Sequence, residues 1–406
     1  LLDMEALTQS SNFLSTVLAN MHSSIFLLTK ERRIKAVNRS GMVLLDKNKK
    51  AIINNLFGNA LDCMNTERGD LQCGYTDHCR DCPLLNALNS MFEQNIEVRR
   101  DIFDQKKVLK GDEILDKYFM YSAKTIVHEG TTMVMLIVDD ITEMEKQKEA
   151  IRAKNEEIMS GIRYAKKIQD ALLPARQELL HALHDYFLLY RPRDVIGGDF
   201  YRTIRKDNKT ILAVGDCTGH GIPGALLSML GITGLNEIVK ANGITRPDEV
   251  LFKLRTQIIS ELTNHDEEHL PHDGIDIAIC TLDHDDRRLQ FAGANSNIFF
   301  ARNGKMSEIK GDRMPAGIYH QMNAFSLQEI AWEEGDMLYL FSDGYKDQFG
   351  GKMDKKFGKK RFAELLKQVS LQNVVRQKEM LDKTLDDWKG HKEQVDDILV
   401  MGVRLD

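Results

Sequence analysis

The sequence predicts an α+β protein of more than one domain: a small mixed α/β module, a long helical linker, and a larger sandwich of sheets covered by helices. Three observations carry this expectation. Between residues 184 and 406, short apolar strands recur with only two longer helical regions among them, which suits stacked sheets rather than a bundle. From Ile141 to Leu172, residues recur at alternating spacings of three and four, the period of a coiled coil. Ahead of that helix, strand–turn–strand, helices and a closing meander fill about one domain's length. At 406 residues the chain has room for two or three domains. Its formal charge of -6 gives no basic signature for nucleic acid. No run approaches the ~18 apolar residues of a membrane helix and no signal peptide is visible, so cytoplasm is the expected location. The chain opens on Leu1, which leaves upstream domains open.

Taken in order, residues 1–22 read as a helix with Leu7, Leu14, Leu18 and Met21 on one side. The pattern then changes to strands at SSIFLL and IKAVN, a helical stretch from Arg39, and the strands KYFMYSAKTIV and TTMVMLIVDD. This succession, ending in VDDITEMEKQ, resembles a PAS sensor domain over residues 23–140. Inside it lies Cys63-x9-Cys73-x5-Cys79-x2-Cys82. Thiolates are soft ligands, and four within twenty residues suit Zn²⁺ or an iron–sulfur cluster. Free buried cysteines, or a redox pair, is the competing reading. Four of the six cysteines crowded together fit a reducing compartment better than a disulfide framework.

Residues 141–174 read as a coiled-coil linker. The a series is Ile141, Lys148, Asn155, Ile162 and Gln169, and the d series is Met144, Ile151, Ile158, Ala165 and Leu172. Asn155 at an a position favours a parallel two-stranded register. Lys148, Asn155 and Gln169 suit a monomeric core poorly, so the expected state is a homodimer; a lone amphipathic helix lying on its own domain is the alternative. Pro174 ends the helix.

In residues 175–406 the densest stretch is RPRDVIGGDFYRTIRKDNKTILAVGDCTGHGIPGALLSML. Asp199 and Asp216 flank a hairpin whose turn is Asp207-Asn208, which brings both carboxylates to one rim. Asp343 follows an apolar strand in YLFSDGYKDQFGG, and Asp396 and Asp397 precede the last strand in EQVDDILVMGVRL. A lone strand-end aspartate is usually a turn or cap residue. Four such positions, distant in sequence, suit hard divalent cations that want carboxylate and carbonyl oxygen.

GGDFY followed by GDCTGHGIPGAL, with FAGANSNIFFARNGKMSEIKGDRMPAGIY and FSDGYKDQFGG, resembles the SpoIIE/RsbU-type serine/threonine phosphatases, a branch of the metal-dependent PPM superfamily. The resemblance covers 160–406 and implies the layered α-β-β-α sandwich of that superfamily. It implies that Asp199 and Asp216 ligate two Mn²⁺ or Mg²⁺ ions, that the Cys217 carbonyl serves one, and that Asp343 and Asp396 serve the other. Attack on phosphorus by a metal-bridging hydroxide then needs no cysteine nucleophile. Asp397 is the less favoured member of its pair, because neighbours in an extended segment face opposite ways. Asp276 and Asp273 are candidates for a weaker third ion, with a structural turn as the plainer reading. His220 is the candidate general acid, a backbone-bonded turn histidine being the alternative. Arg191 and Arg193 are candidates to hold the substrate phosphate. The basic run Lys352–Arg361 reads as a docking loop or a solvated one. Family membership implies a phosphoserine or phosphothreonine substrate on a STAS-domain anti-sigma-factor antagonist. A catalytically silent pseudophosphatase scaffold is the competing function, and its signature would be lost metal ligands.

Overall fold

A computed structural model describes residues 11–67, 72–94, 98–110, 113–263 and 273–406. The chain divides into two compact units, Leu1–Glu156 and Glu157–Asp406. Within the first, α1 (Ser11–Asn20) precedes β1 (Ser24–Leu28), β2 (Ile34–Val37) and α2 (Arg39–Leu45); the part of the expected first helix over residues 1–10 lies outside the described residues. Helix α3 (Pro83–Gln94) then leads to β3 (Val98–Lys110), β4 (Glu113–His128) and β5 (Thr131–Asp140). These strands form one antiparallel sheet in the order β2-β1-β5-β4-β3. Alternation does the sorting: Val134, Leu136 and Val138 of β5 all point into the core. Leu84, Leu88 and Met91, at helical spacing on α3, cover them from one side with Phe57 and Leu61. Strand β3 had no counterpart among the expected strands, because VRRDIFDQKKVLK carries too many charges to read as one.

The long helix α4 (Thr142–Leu172) contains the heptad stretch, and the division between the units falls inside it. Its d positions Met144, Ile151 and Ile158 are 51%, 62% and 55% exposed, an unpartnered apolar seam along this single chain. The last turns behave differently. Gln169, read as a poor residue to bury in a monomeric core, is only 1% exposed. Its amide donates to the Gly197 carbonyl at 2.7 Å and to Ser228 Oγ at 3.0 Å. Leu172 and Leu173 pack against the sandwich core. The frame of threes and fours therefore stops describing an open seam at this end: the polar a position is buried because the second unit supplies its partners. Gln169→Ala is expected to strip those partners and destabilise the second unit by about 1–3 kcal/mol, read as a lowered melting midpoint.

The second unit is a four-layered sandwich. After α5 (Arg176–Ala182) come β6 (Asp185–Arg191), β7 (Phe200–Lys206) and β8 (Lys209–Cys217). Next are α6 (Ile222–Asn236), α7 (Pro247–Leu262), β9 (Gly274–Asp283), β10 (Arg288–Ala294), β11 (Ile298–Arg302) and β12 (Lys305–Ile309). The two-residue strand β13 (Ala316–Gly317) precedes β14 (Gln328–Ala331) and β15 (Met337–Phe341). A short hairpin, β16 (Phe349–Gly350) and β17 (Lys355–Lys356), leads to α8 (Lys359–Val369), α9 (Val374–Lys389) and β18 (Ile398–Arg404). One sheet runs β14-β10-β9-β8-β7 with β13 beside β9, and the other runs β12-β11-β15-β18-β6.

Strand alternation assigns each face. Leu212, Val214 and Cys280 of the first sheet meet Leu338, Leu340 and Met401 of the second in a shared core. The opposite residues of the first sheet, Ile211, Ala213 and Ile279, carry α6 and α7, while Tyr339 and Val400 of the second carry α8 and α9. Both sheets are buried on both faces, so their central strands read as continuous apolar runs. Edge strands β12 and β14 are partly exposed and polar, and escaped the strand reading for that reason. Among the described residues one helical stretch, Ile222–Ala241, has the length and mean hydropathy (1.4) to cross a membrane, contrary to the expectation of no such run. More than half of it is buried inside the sandwich, as a core helix would be.

A carboxylate rim at the edge of both sheets

The hairpin register explains how two distant aspartates meet. Phe200 pairs with Gly215, so Asp199, just before β7, and Asp216, near the end of β8, stand at the same end. Asp207, at φ 52°, closes the two-residue turn at the other end. Asp276 is the direct cross-strand partner of Asp216, which places it in strand β9 and corrects the reading of it as a turn residue. From the second sheet, Ser342 and Asp343 follow β15, and Asp396 and Asp397 precede β18.

Hydrogen bonds stitch the two contributions together. Ser342 Oγ donates to Asp199 Oδ2 at 2.5 Å, and the Asp343 N–H reaches Asp216 Oδ2 at 3.4 Å. Asp397 accepts N–H bonds from Arg193 (2.7 Å), Gly198 (2.6 Å) and Asp199 (3.4 Å). Those donors occupy its oxygens, and it clamps the VIGGD loop to the last strand. A Cβ on Gly197 would stand 2.6 Å from that carboxylate, so the loop needs glycine there. Asp396 is left facing the rim, near enough to Asp216 to repel its charge.

The electrostatics are one-sided. Burial, then Asp216, raises Asp199 far above the usual carboxylate range. Burial, then Asp343 and Asp396, pushes Asp216 up to about 8. Burial also raises Asp276, Asp343 and Asp396. Lys346 beside Asp343 and Asp276, and the Asn295 amide 3.0 Å from Asp276 Oδ1, offset only part of this. Five crowded, desolvated carboxylates are a donor set that suits a hard divalent cation. Among the described residues no three ligating side chains already ring one point at binding distance.

The glycine loop after β8 completes the rim. Gly219 and Gly221 take φ of 86° and 67°, which only glycine adopts freely. The carbonyls of Cys217 and Gly219 both face Gly198. The Cys217 thiol is buried and held protonated by that burial, then by Asp216 and Asp199. His220 sits exposed at the tip, its Nδ1 3.4 Å from Asp194 Oδ2. Asp194 was missed in the sequence, although it lies five residues before Asp199 in the same phrase. Ser342, Asn295 and Lys346 were missed too; of these only Ser342, adjacent to Asp343, carried a local signal.

Arg191 is not free to grip a phosphate. Its guanidinium is held by Asp382 at 2.8 Å and by Asp386 at 2.8 and 3.2 Å on α9. These partners lie almost two hundred residues away in sequence, which is why the local reading misassigned it. Arg193 remains at the rim, its side chain reaching the Val395 carbonyl at 3.3 Å. Asp273 immediately precedes β9. The Lys352–Arg361 run forms the β16–β17 connection, β17 and the start of α8.

The Stage II sporulation protein E (SpoIIE) family model matches residues 206–406. The SiaA-PP2C domain of Pseudomonas aeruginosa is 32% identical with a TM-score of 0.57, the alignment covering 63% of this chain and 99% of that one. The PP2C phosphatase domain and regulatory-domain fragment of SpoIIE from Bacillus subtilis is 14% identical over 80% of this chain and 88% of that one, with a TM-score of 0.44. No curated protein matches the chain. That family model and the 32% identity to the SiaA domain, aligned over 99% of its length, show the family: the chain belongs to the SpoIIE family of PP2C-type serine/threonine protein phosphatases.

Proposed function

We propose that the chain is a divalent-metal-dependent phosphatase for phosphoserine or phosphothreonine on a partner protein of the STAS-domain antagonist class, regulated by its first unit. One observation carries the catalytic half: buried carboxylates from both sheets meet at one rim with too little positive charge to balance them. Asp199, Asp216, Asp343, Asp396 and the Cys217 carbonyl would hold two ions, Mn²⁺ or Mg²⁺ rather than Zn²⁺ because every donor is oxygen. Bound ions supply an activated water and offset charge on the phosphoryl oxygens. Asp276, which accepts a hydrogen bond from the Asn295 amide, would serve a further ion. Ser342 orients Asp199, and Asp397 holds the loop that carries it.

His220, steadied by Asp194, is positioned to deliver the proton that a departing serine or threonine oxygen requires. His220→Ala is expected to lower turnover about 10²-fold on a phosphoserine protein and much less on p-nitrophenyl phosphate, whose leaving group needs no proton. Equal losses on both substrates would remove His220 from that role. The regulatory half rests on the five-stranded first unit, which resembles a PAS sensor, and on the uninterrupted helix α4 that leaves it. Exposed d positions on α4 supply the seam for a homodimer.

The test of the whole reading is phosphate release from a phosphorylated STAS-domain protein. Activity should vanish with EDTA and return with Mn²⁺ or Mg²⁺. Hydrolysis indifferent to chelation would sink the metal assignment, and robust turnover of small phosphates with none on the STAS protein would sink the substrate.

A further inference from the structure

Four cysteines that the phosphatase chemistry does not use converge on one pocket of the first unit. Cys63, Cys73, Cys79 and Cys82 line it together with Arg32 and Lys106, and leucines with Phe57 complete an apolar wall. The residues arrive from separate places. Cys63 is bridged to Val108 on β3, the strand that also carries Lys106. Cys73 sits over Gly58, where a Cβ would stand 2.5 Å from its sulfur. Cys79 lies in a single turn and Cys82 immediately precedes α3, whose first N–H bond, from Asn86, it accepts.

The sulfurs are dressed by donors. The Gly74 N–H points at Cys79 Sγ at 3.4 Å and Thr76 Oγ1 lies 3.1 Å from it, while Lys106 Nζ stands 3.2 Å from Cys82 Sγ. Gly74 has φ 93°, and Arg32 packs against it from the pocket side. N–H and O–H bonds to sulfur, with cations close by, are what thiolates need in an apolar enclosure. We propose that Cys63, Cys73, Cys79 and Cys82 form a tetrathiolate site for one thiophilic metal centre, Zn²⁺ or an iron–sulfur cluster, with Lys106 and Arg32 as its counter-ions.

Charge supports the assignment. Four thiolates around Zn²⁺, or around the common state of a four-iron cluster, leave a surplus of about two negative charges. The pocket brings two cationic side chains. Among the described residues no three ligating side chains ring one point, so a tetrathiolate centre requires the four sulfurs to close in when metal binds.

This inference is independent of the phosphatase reading, because it uses other residues and another class of metal. The test is elemental analysis of the full chain purified without oxygen, with acid-labile sulfide and the visible spectrum. About one zinc per chain with no colour, or about four irons with matching sulfide and visible absorbance, is the expected result. A Cys79→Ser, Cys82→Ser double variant should lose at least about tenfold of that metal. Should the variant fail to fold, the wild-type protein still decides. Zinc and iron both below about 0.1 per chain, with the four thiols titrating freely or paired as disulfides, would overturn the proposal.

Discussion

Asp216→Asn is expected to reduce Mn²⁺-dependent turnover by about 10³-fold or more, the scale of losing a transition-state stabiliser in a dry site. Asp216 stands against the Asp343 N–H from the other sheet and against Asp276 across the strand, so its carboxylate is common to both halves of the rim. The same substitution should make the chelated protein more stable. Asp216 has a folded pKa of about 8, against an ordinary carboxylate near 4 in the unfolded chain. The sign follows from proton counting. Below the unfolded value both states hold the proton and the carboxyl costs nothing. As pH rises from about 4 to about 8, the unfolded chain ionises first and the fold loses stability. EDTA-treated wild type should therefore melt lower as pH rises through that window, with a flatter dependence in Asp216→Asn. Added Mn²⁺ should raise the wild-type midpoint more than the variant's. A chelated Asp216→Asn protein that melts below wild type at neutral pH would contradict the crowded-carboxylate picture.

Gly344→Ala should be the most damaging change among single methyl additions at the rim. Gly344 opens the helical turn after Asp343, and a Cβ there would fall deep inside the Asp397 carbonyl oxygen. That obstacle is the backbone of Asp397, just before the last strand, whose own carboxylate clamps the VIGGD loop. It cannot step aside as a side-chain end would. We expect a loss of about 3 kcal/mol or more, at the upper end of overpacking effects. For a unit of this size that is about 2–4 °C per kcal/mol in the melting midpoint. Phosphatase activity should fall with it, since Asp343 must move when its neighbour does. Gly161→Ala is the control. Gly161 lies on α4 with nothing near its missing Cβ, so alanine there should be neutral or stabilising by up to about 1 kcal/mol. Similar melting midpoints for the two variants would refute the steric account.

What could be read without coordinates was local. Apolar runs ending in aspartate and glycine mark Asp199, Asp216, Asp343 and Asp396, because a strand end and its turn chemistry are written in adjacent residues. Core strands such as Ile298–Arg302 were legible for the same reason, burial on both faces leaving an unbroken apolar run. Where the deciding partner lies far along the chain, the reading failed. Arg191 looked available for a phosphate until α9 brought Asp382 and Asp386 to it. Gln169 looked like a coiled-coil residue until Gly197 and Ser228 closed over it.

Sequence by itself determined which residues bear oxygen and sulfur donors, and the order of elements that presents them. Only the tertiary structure decided how they are used: Asp397 as a clamp rather than a free carboxylate, Asp276 beside Asp216, Asp194 behind His220, and Lys106 against Cys82. The physical reason is range. Periodicity and turn chemistry act over a few residues, whereas burial, charge balance and hydrogen-bond partnership are settled between elements that the fold brings together.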